Sequence, residues 1–438
     1  MFPLLILAAT LCPGQTLPQV QPEQTLEAAE ESQPPDLSSV GPERVEPAPI
    51  LVPLPSASQP PAQPPSVSLA LPAPTRWPFM RAVQGTWLGT SLEDERIQIY
   101  GWTQESFTAS TDRESNLPLG FNYKANQFLL QQNWLRIDRA IVTKGTSTPS
   151  FGFRSDWILP GSDYFFTLPR GLFNGQLTAD HGGPNLYGID PVEFYVEAYF
   201  PTIAQGMDVK IGRFFSLFGV ESIPAVDNPF ISHAYAFIYN PFTQTGIVTT
   251  TKWSDSLSTQ AGLVMGNDNV ALATAYPTFI GNIKWVSANQ RDSLLLNVIV
   301  DRGRYDQVHQ FHNPEIVDLI WTHKINTSMV YTFEALYGFT NNVPNIGTAN
   351  WLHLVHYFIY NVTEQVNTGA RLELFDDFQG QRTSFPGLYL APAAVIGYRP
   401  FKWLQFRQEI RYDYNIQSAP FEGKHGLFTA ASDCILRW

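Results

Sequence analysis

The sequence lacks long apolar runs and clusters of positive charge. Beyond the first dozen residues there is no run of roughly eighteen apolar residues, which argues against membrane-spanning helices. The formal net charge is −12 and lysines and arginines form no basic patch, so no nucleic-acid partner is expected. Only 15% of the residues are charged, although apolar runs are also missing. This combination favours segments in which apolar and polar residues alternate.

Cysteine is nearly absent, with two residues in the chain. Cys12 lies in the expected targeting segment and Cys434 near the C-terminus, so the mature chain would carry one thiol and no disulfide.

The N-terminal part divides into two segments that precede the folded domain. Residues Phe2–Leu11 have the length and apolarity of a signal-peptide core, and Gly14 is a plausible cleavage position, so residues 1–14 are interpreted as a signal peptide. No lysine or arginine stands near Met1, which is unusual for such a segment. Residues 15–76 are rich in Pro, Ala, Ser and Glu and are expected to be a disordered linker, either an inert spacer or a contact for a periplasmic or cell-wall partner.

From residue 77 onward the sequence contains aromatic-rich segments of about ten residues, the length of a tilted strand that crosses a bilayer. Sixteen such segments are predicted, from Arg96–Thr108 to Gly426–Trp438. Short links alternate with long ones, and Asn341–Ala349 is among the long ones. Because outer-membrane barrels have short turns on one rim and long loops on the other, the expected fold is an all-β, antiparallel, transmembrane β-barrel over residues 77–438.

Alternation within single segments predicts a polar lumen. In Trp403–Tyr414 the even positions are mostly apolar, and four consecutive odd positions are charged. Such charges cannot face lipid, where one Arg or Lys at the midplane costs roughly 2–4 kcal/mol. The segments at 192–200, 207–215 and 364–375 divide in the same way, with Val192 assigned to the lipid side. The lumen-facing candidates are Glu193, Glu197, Asp208, Lys210, Arg371, Glu373, Arg407, Glu409, Arg411 and Asp413.

Two interpretations of these charges remain open. They could pair across strands within the barrel wall, or they could set up a field across a water-filled channel. Aromatic residues near segment ends suggest interfacial girdles. The girdle candidates are Trp253, Trp285, Trp321, Trp351, Tyr398, Trp403, Tyr414 and Trp438.

The region Asp208–Lys252 carries a family resemblance. It contains Gly-Arg-Phe-Phe, a later Gly-Val-Glu, then Asp-Asn-Pro-Phe, Ser-His and Pro-Phe-Thr-Gln-Thr-Gly. This pattern resembles the OmpL-like β-barrel porins, and the similarity extends over about Arg96–Trp438. The resemblance implies an outer-membrane porin whose solutes are undefined.

The connection between Phe215 and Thr245 is long, proline-containing and unusually apolar. We expect it to fold inward and narrow the pore, with Glu221 and Asp227 exposed to passing solute. The alternative is a loop that packs over the outer rim.

The sequence contains no motif that supports catalysis or metal binding. His353 and His356 are three apart on a predicted strand and therefore face opposite sides, and no nucleotide-binding loop or nucleophile elbow is present. No cofactor, metal or catalytic residue is predicted.

The leading functional hypothesis is an outer-membrane porin for passive diffusion of small hydrophilic solutes or ions. The alternative is a barrel with a blocked lumen that acts as an anchor or surface-interaction protein, and an outer-membrane enzyme ranks third. Expected partners are outer-membrane lipid, the solutes and the barrel assembly machinery, with a homotrimer expected by analogy. Trp438 is expected to complete the strand that closes the barrel by pairing with the first one.

Overall fold

The computed structural model describes residues 77–438, except residues 170, 178–184, 271–275, 302–303 and 307–310. The predicted signal peptide and linker, residues 1–76, lie outside the described residues.

Sixteen antiparallel strands form a closed barrel, as predicted. The strands are β1 (Ile97–Ser110), β2 (Gln127–Arg139), β3 (Ser150–Gly161), β4 (Gly188–Phe200), β5 (Met207–Phe215), β6 (Thr243–Lys252), β7 (Leu257–Asn267), β8 (Thr278–Val286), β9 (Asp292–Val300), β10 (Glu315–Lys324), β11 (Met329–Val343), β12 (Gly347–Asn361), β13 (Val366–Asp377), β14 (Gly387–Phe401), β15 (Leu404–Asn415) and β16 (Gly426–Arg437). Each pairs with its neighbour in sequence, and β1 pairs with β16. Two short strands, Arg304–Asp306 and Phe311–Asn313, pair with each other in the connection between β9 and β10.

Connection lengths follow the predicted alternation with one correction. The segment Asn341–Ala349 was expected to be a long loop, but β11 extends to Val343 and β12 begins at Gly347. The extended register pairs Val343 with Gly347, so three residues complete a tight hairpin. The sequence of this segment is polar, which does not distinguish a loop from a strand that projects beyond the membrane.

The two faces of the wall separate as the alternation predicted. Along β15, residues from Gln405 to Asn415 alternate between buried and exposed, and the charged odd positions are buried. On the outer face Gln408 interrupts the apolar row, but the Ser432 hydroxyl of the paired strand donates to its Oε1 at 2.6 Å. These two polar residues therefore satisfy each other on the lipid side.

Two residues face the lumen against prediction. Val192 is fully buried because a register shift between β3 and β4, near Asp156 and Ile158, changes the local alternation. Trp351 was expected in an interfacial girdle but is also fully buried, since it shares the inward face of β12 with His353 and packs against the Arg382 guanidinium. Trp253, Trp285, Trp321, Tyr398, Trp403 and Tyr414 are exposed at 37–54%, as a girdle requires.

Two helices precede the barrel, α1 (Pro78–Ala82) and α2 (Trp87–Asp94). Met80 of α1 is buried against the start of β1, and Trp77 stacks on Tyr100 with ring centroids 5.9 Å apart. The Thr86 hydroxyl caps α2 by accepting from the Gly89 N–H at 3.1 Å. In the described part of the chain, no helix is long and apolar enough to span a membrane.

Candidate functional site

The connection between β5 and β6, residues 216–242, folds into the barrel and is called the lumen loop below. Its residues 231–240 are all buried, and it contains a 3₁₀ turn (Ala225–Asp227) and the short helix α4 (Tyr235–Ile238). The loop leaves the wall at β5 and contacts β13, β15 and β16 far from it in sequence. The inward fold predicted from its apolar composition is therefore observed.

Two wall carboxylates bind consecutive backbone N–H groups of the lumen loop. Glu409 on β15 accepts from Ile231 and Ser232 at 2.6 and 3.1 Å, and it also accepts from the Ser232 hydroxyl. Glu373 on β13 accepts from Tyr235 and Ala236, both at 2.7 Å. Hydrogen bonds to a charged acceptor are about twice as strong as neutral ones, so each carboxylate replaces the strand partner that this irregular backbone lacks.

Wall arginines bind the carbonyl groups of the same loop. Arg407 donates to the carbonyls of residues 225, 228 and 230 at 2.6–3.2 Å. Arg411 donates to the carbonyl of His233 at 2.5 Å, and Arg371 donates to that of Ser232 at 2.9 Å. The wall thus supplies acceptors to the loop's N–H groups and donors to its C=O groups, which fixes both the position and the orientation of the backbone.

Glu221 is the loop's own charged anchor. Its carboxylate accepts from Arg371 at 2.7 Å and from the Ala234 N–H at 3.1 Å, and it contacts His233 Nδ1 at 2.9 Å. Burial alone would raise the pKa of Glu221, but Arg371 and His233 outweigh it and hold the pKa at about 2. Burial lowers the pKa of His233. Glu221 is therefore ionised throughout the physiological pH range.

The predicted exposure of Glu221 to solute is wrong. It is only 7% exposed because the ion pair with Arg371 holds it against β13. Strands β13–β16, which the lumen loop contacts far from its own ends, are called the far wall below. Asp227 is half-buried and borders a cavity of about 250 Å³ that also touches Arg136, Arg154 and Lys210. These three cations lie near the ends of their strands that adjoin the rim with the shorter connections. The cavity therefore lies on that side of the lumen loop.

The remaining charged candidates surround this inner part of the lumen. Glu197 and Lys210 are register partners on β4 and β5 and approach to 4.0 Å, so opposite charges face each other across these two strands. Glu193 is fully buried and accepts from the Phe215 N–H at 3.0 Å, where the lumen loop begins. Asp208 is half-buried near the start of β5.

The interpretation of the wall charges as paired groups holds in part, and the interpretation as a field across a water-filled channel stays a prediction. Arg407 pairs across strands with Asp433 at 2.5 Å, as this interpretation of paired groups required, whereas Arg411 pairs with Asp413 of its own strand at 2.7 Å. The same arginines use their remaining N–H groups on the lumen loop. The charges therefore hold the loop as well as each other, a role that neither interpretation included.

Sequence reasoning missed Gln132, which connects the near wall to the lumen loop. Its amide donates to the Ile223 carbonyl at 2.7 Å and to Asp163 at 2.8 Å, and it accepts from the Ala225 N–H at 3.0 Å. Burial raises the pKa of Asp163 to about 8, against the effect of the Gln132 bond. The polar side chain of Gln132 at an inward position of β2 could have marked it as a contact residue. Its partners could not be inferred, because they are distant in sequence.

An aromatic cluster packs in the lumen against the loop and next to the cavity, which Phe237 also lines. Phe121, from the connection between β1 and β2, packs on Phe166 of α3 (Tyr164–Thr167) and on Phe237 and His233, with centroids 4.4–5.6 Å apart. Tyr235 packs against Phe375 and Tyr389 at 5.3 and 5.1 Å. These contacts lie in the lumen near the rim that carries the long connections.

Histidine positions agree with the sequence interpretation. His353 faces the lumen and contacts Glu373 at 3.3 Å, whereas His356 lies on the other face and contacts the Tyr331 hydroxyl. Within the described ranges, no group of three or more His, Cys, Asp or Glu residues could hold a metal.

A comparison with known protein families agrees with the β-barrel fold. The family described as “Putative beta-barrel porin-2, OmpL-like” matches residues 96–434, which is most of the barrel and includes the lumen loop. The chain belongs to this family. The family resemblance in Asp208–Lys252 is thereby confirmed, and this segment of the OmpL-like barrel contains the lumen loop.

Solved structures share the fold of this OmpL-like barrel at low sequence identity. The outer membrane channel DcaP of Acinetobacter baumannii has a TM-score of 0.54 and 11% identity, covering 78% of this chain and 97% of that one. A loop L8 deletion mutant of OmpT, an outer membrane protein of Vibrio cholerae, has a TM-score of 0.50 and 7% identity, covering 78% and 99%. No curated protein matches the sequence.

Proposed function

We propose that this OmpL-like barrel is a bacterial outer-membrane channel for passive diffusion of small hydrophilic solutes or ions, narrowed by the lumen loop. The family supports a porin role, and the barrel has the strand number at which side chains alone do not fill the interior. The proposal assigns the chain a transport role and no catalytic one.

The attachment of the lumen loop to the far wall carries this proposal. Buried ionic groups are costly unless they are fully paired and hydrogen-bonded. Here Arg371, Glu373, Arg407, Glu409 and Arg411 are all buried and all bond the loop. A loop that merely covered a rim would need no such set of contacts within the lumen. A fixed obstruction reduces the cross-section of a channel, and this is the function that the contacts serve.

The outer face supports an outer-membrane location. Ile211, Ile283 and Ile410 are 53–55% exposed and belong to an apolar outer surface that the barrel presents on every side. Lipid of the outer membrane is the partner that fits this surface. Insertion by the barrel assembly machinery and a homotrimeric state stay predictions.

Planar-bilayer recording of the purified full-length chain tests the function. We expect discrete conductance steps from the native barrel and larger steps when residues 222–234 are replaced by a short Gly-Ser linker. Folding of both proteins is checked by their heat-dependent mobility on gels. Equal step sizes would contradict the constriction, and a folded native barrel without steps would contradict the channel.

A barrel with a closed lumen is the second candidate function, and the aromatic cluster favours it. If Phe121, Phe166 and Phe237 seal the external side, the protein would act as an anchor or a surface-interaction protein. The recordings separate the two cases. A closed barrel conducts in neither form, or only after residues 222–234 are removed, whereas a channel conducts in both.

A further inference from the structure

Three buried side chains on adjacent strands β9, β10 and β11 present oxygen atoms that have no donor. Asn297, Asp318 and Glu334 are each at most 1% exposed. Within the described residues, Asn297 Oδ1, Asp318 Oδ1 and Glu334 Oε1 have no hydrogen-bond partner. Buried polar atoms nearly always have a partner, so three neighbouring exceptions need an explanation.

The strand register brings the three residues together. Asn297 and Asp318 are direct partners, and the Asn297 amide donates to Asp318 Oδ2 at 3.0 Å. Glu334 is paired with Ile320, two residues from Asp318 on the same face, so the two carboxylates are diagonal neighbours. Diagonal neighbours lie about 7–8 Å apart at the backbone, within reach of an Asp and a Glu side chain.

The lumen loop covers this cluster at one point. The Gly219 N–H donates to Asp318 Oδ2 at 3.2 Å, and a Cβ on Gly219 would lie 3.7 Å from Glu334 Oε1. Both carboxylates therefore face the same turn, whose Gly219 has a φ of +84°.

No positive charge in the described part of the chain compensates the two carboxylates. The ion pairs there join other residues, and the nearest loop carboxylate, Glu221, is already paired with Arg371. Two adjacent buried carboxylates without a counter-charge are strongly destabilised. A bound cation would supply the missing positive charge, and a proton shared between the two carboxylates is the alternative that the test below separates from it.

We propose that Asn297, Asp318 and Glu334 bind a hard divalent cation, Ca²⁺ or Mg²⁺, beneath Gly219 and Val220 of the lumen loop. Carboxylate and amide oxygens are the ligands that these ions prefer, and waters complete the coordination. Two carboxylates balance the ion's charge. The cavity of about 250 Å³ borders residues 214–223 of β5 and the lumen loop, which include the Gly219 and Val220 that lie over the proposed site.

This site adds a second attachment of the lumen loop to the wall. The charged groups of β13 and β15 hold residues 225–236, whereas the cation would hold the segment at Gly219 near β10 and β11. Divalent cations therefore stabilise the loop, whether or not the barrel conducts.

Equilibrium dialysis of the EDTA-treated, detergent-solubilised full-length barrel against Ca²⁺ tests the proposal. The native protein is expected to bind one more Ca²⁺ than the Asp318→Asn/Glu334→Gln variant, and Mg²⁺ should compete. Ca²⁺ should also raise the thermal midpoint of the native barrel and not that of the variant. The control is Asp255→Asn/Glu364→Gln, which removes the same charge from exposed turn residues and should bind like the native protein.

A gain-of-binding variant keeps the test informative if the double variant misfolds. Asn297→Asp adds a third carboxylate and should tighten Ca²⁺ binding roughly tenfold. Equal Ca²⁺ binding by the native protein and a folded double variant would overturn the proposal. So would a native barrel that gains stability on acidification and does not respond to Ca²⁺, because the carboxylates would then share a proton. Binding is measured in detergent, so a failure to conduct would not affect the result.

Discussion

The last residue of the chain, Trp438, pairs with Gly101 of the first strand. The Trp438 N–H donates to the Gly101 carbonyl at 2.9 Å, and the Gly101 N–H donates to the Trp438 carbonyl at 3.0 Å. The indole ring covers Gly101 so closely that a Cβ there would lie 2.6 Å from it, and the Trp134 carbonyl would lie 1.9 Å away. Closure of the barrel therefore extends to the C-terminus and requires glycine at position 101.

Deletion of Trp438 is expected to impair membrane assembly, because it removes both hydrogen bonds and leaves Gly101 without a partner on the β16 side. The fraction of chain that reaches the outer membrane with heat-modifiable gel mobility measures the effect. Gly101→Val should fail in the same way, through the clash. Trp403→Ala, an exposed aromatic residue at the same rim, is the control and should assemble. Normal assembly without Trp438 would remove its role in closure.

Arg371 and Glu221 should be energetically coupled. Arg371→Met leaves the buried Glu221 carboxylate without its strongest partner, and loss of one member of a buried pair costs about 3–5 kcal/mol. The double variant Glu221→Gln/Arg371→Met should recover part of this loss. Thermal or denaturant unfolding of the four proteins gives the coupling free energy, and additive effects would show that the pair does not fix the loop.

The Glu221 pKa of about 2 predicts an acid-dependent loss of stability. Because the folded-state pKa lies below its ordinary 4.5, the stabilisation is complete above about pH 4.5 and is lost as the pH falls towards 2. It amounts to something on the order of 3 kcal/mol. The difference in thermal midpoint between the native protein and Glu221→Gln should be constant from pH 7 to about pH 5 and shrink below that. A difference that is unchanged at pH 2 would contradict the ion pair.

The hydrogen bond between Ser432 and Gln408 on the outer face predicts a non-additive result. Ser432→Ala leaves the Gln408 amide without a partner in lipid and should cost about 1–3 kcal/mol. Ser432→Ala/Gln408→Leu removes both polar groups and should be as stable as the native barrel or more so. Folding into liposomes of phosphatidylcholine, followed by denaturant titration, measures both. An equally destabilised double variant would show that these residues do not depend on each other.

The sequence predicted the repeated features of the fold and few of its tertiary contacts. Alternation along β15 placed Arg407, Glu409 and Arg411 in the lumen, because side-chain direction in a strand follows from position alone. Ser432 lies on the outer face of β16 and Ile435 on the inner face, the reverse of what their polarity favours, but each has a partner: Ser432 bonds Gln408, and Ile435 packs in the buried core. Such partners come from neighbouring strands and cannot be seen in one segment.

The lumen loop shows where prediction from sequence stops. Its apolar composition correctly predicted that it folds inward, since exposed apolar surface is unfavourable. The attachments of Ile231 to Glu409 and of Tyr235 to Glu373 join residues more than a hundred positions apart. The sequence contains both carboxylates but not the three-dimensional arrangement that selects their partners. For the same reason Glu221 was expected in solvent and is instead bound to Arg371.

The most direct test of the account is the single-channel conductance of Glu373→Gln/Glu409→Gln in planar bilayers. Each substitution removes the charge that binds two consecutive N–H groups of the lumen loop, so the loop should leave the far wall. The account predicts larger and noisier conductance steps than those of the native barrel, with Asp255→Asn/Glu364→Gln unchanged. Steps of native size and stability from the folded variant would contradict it.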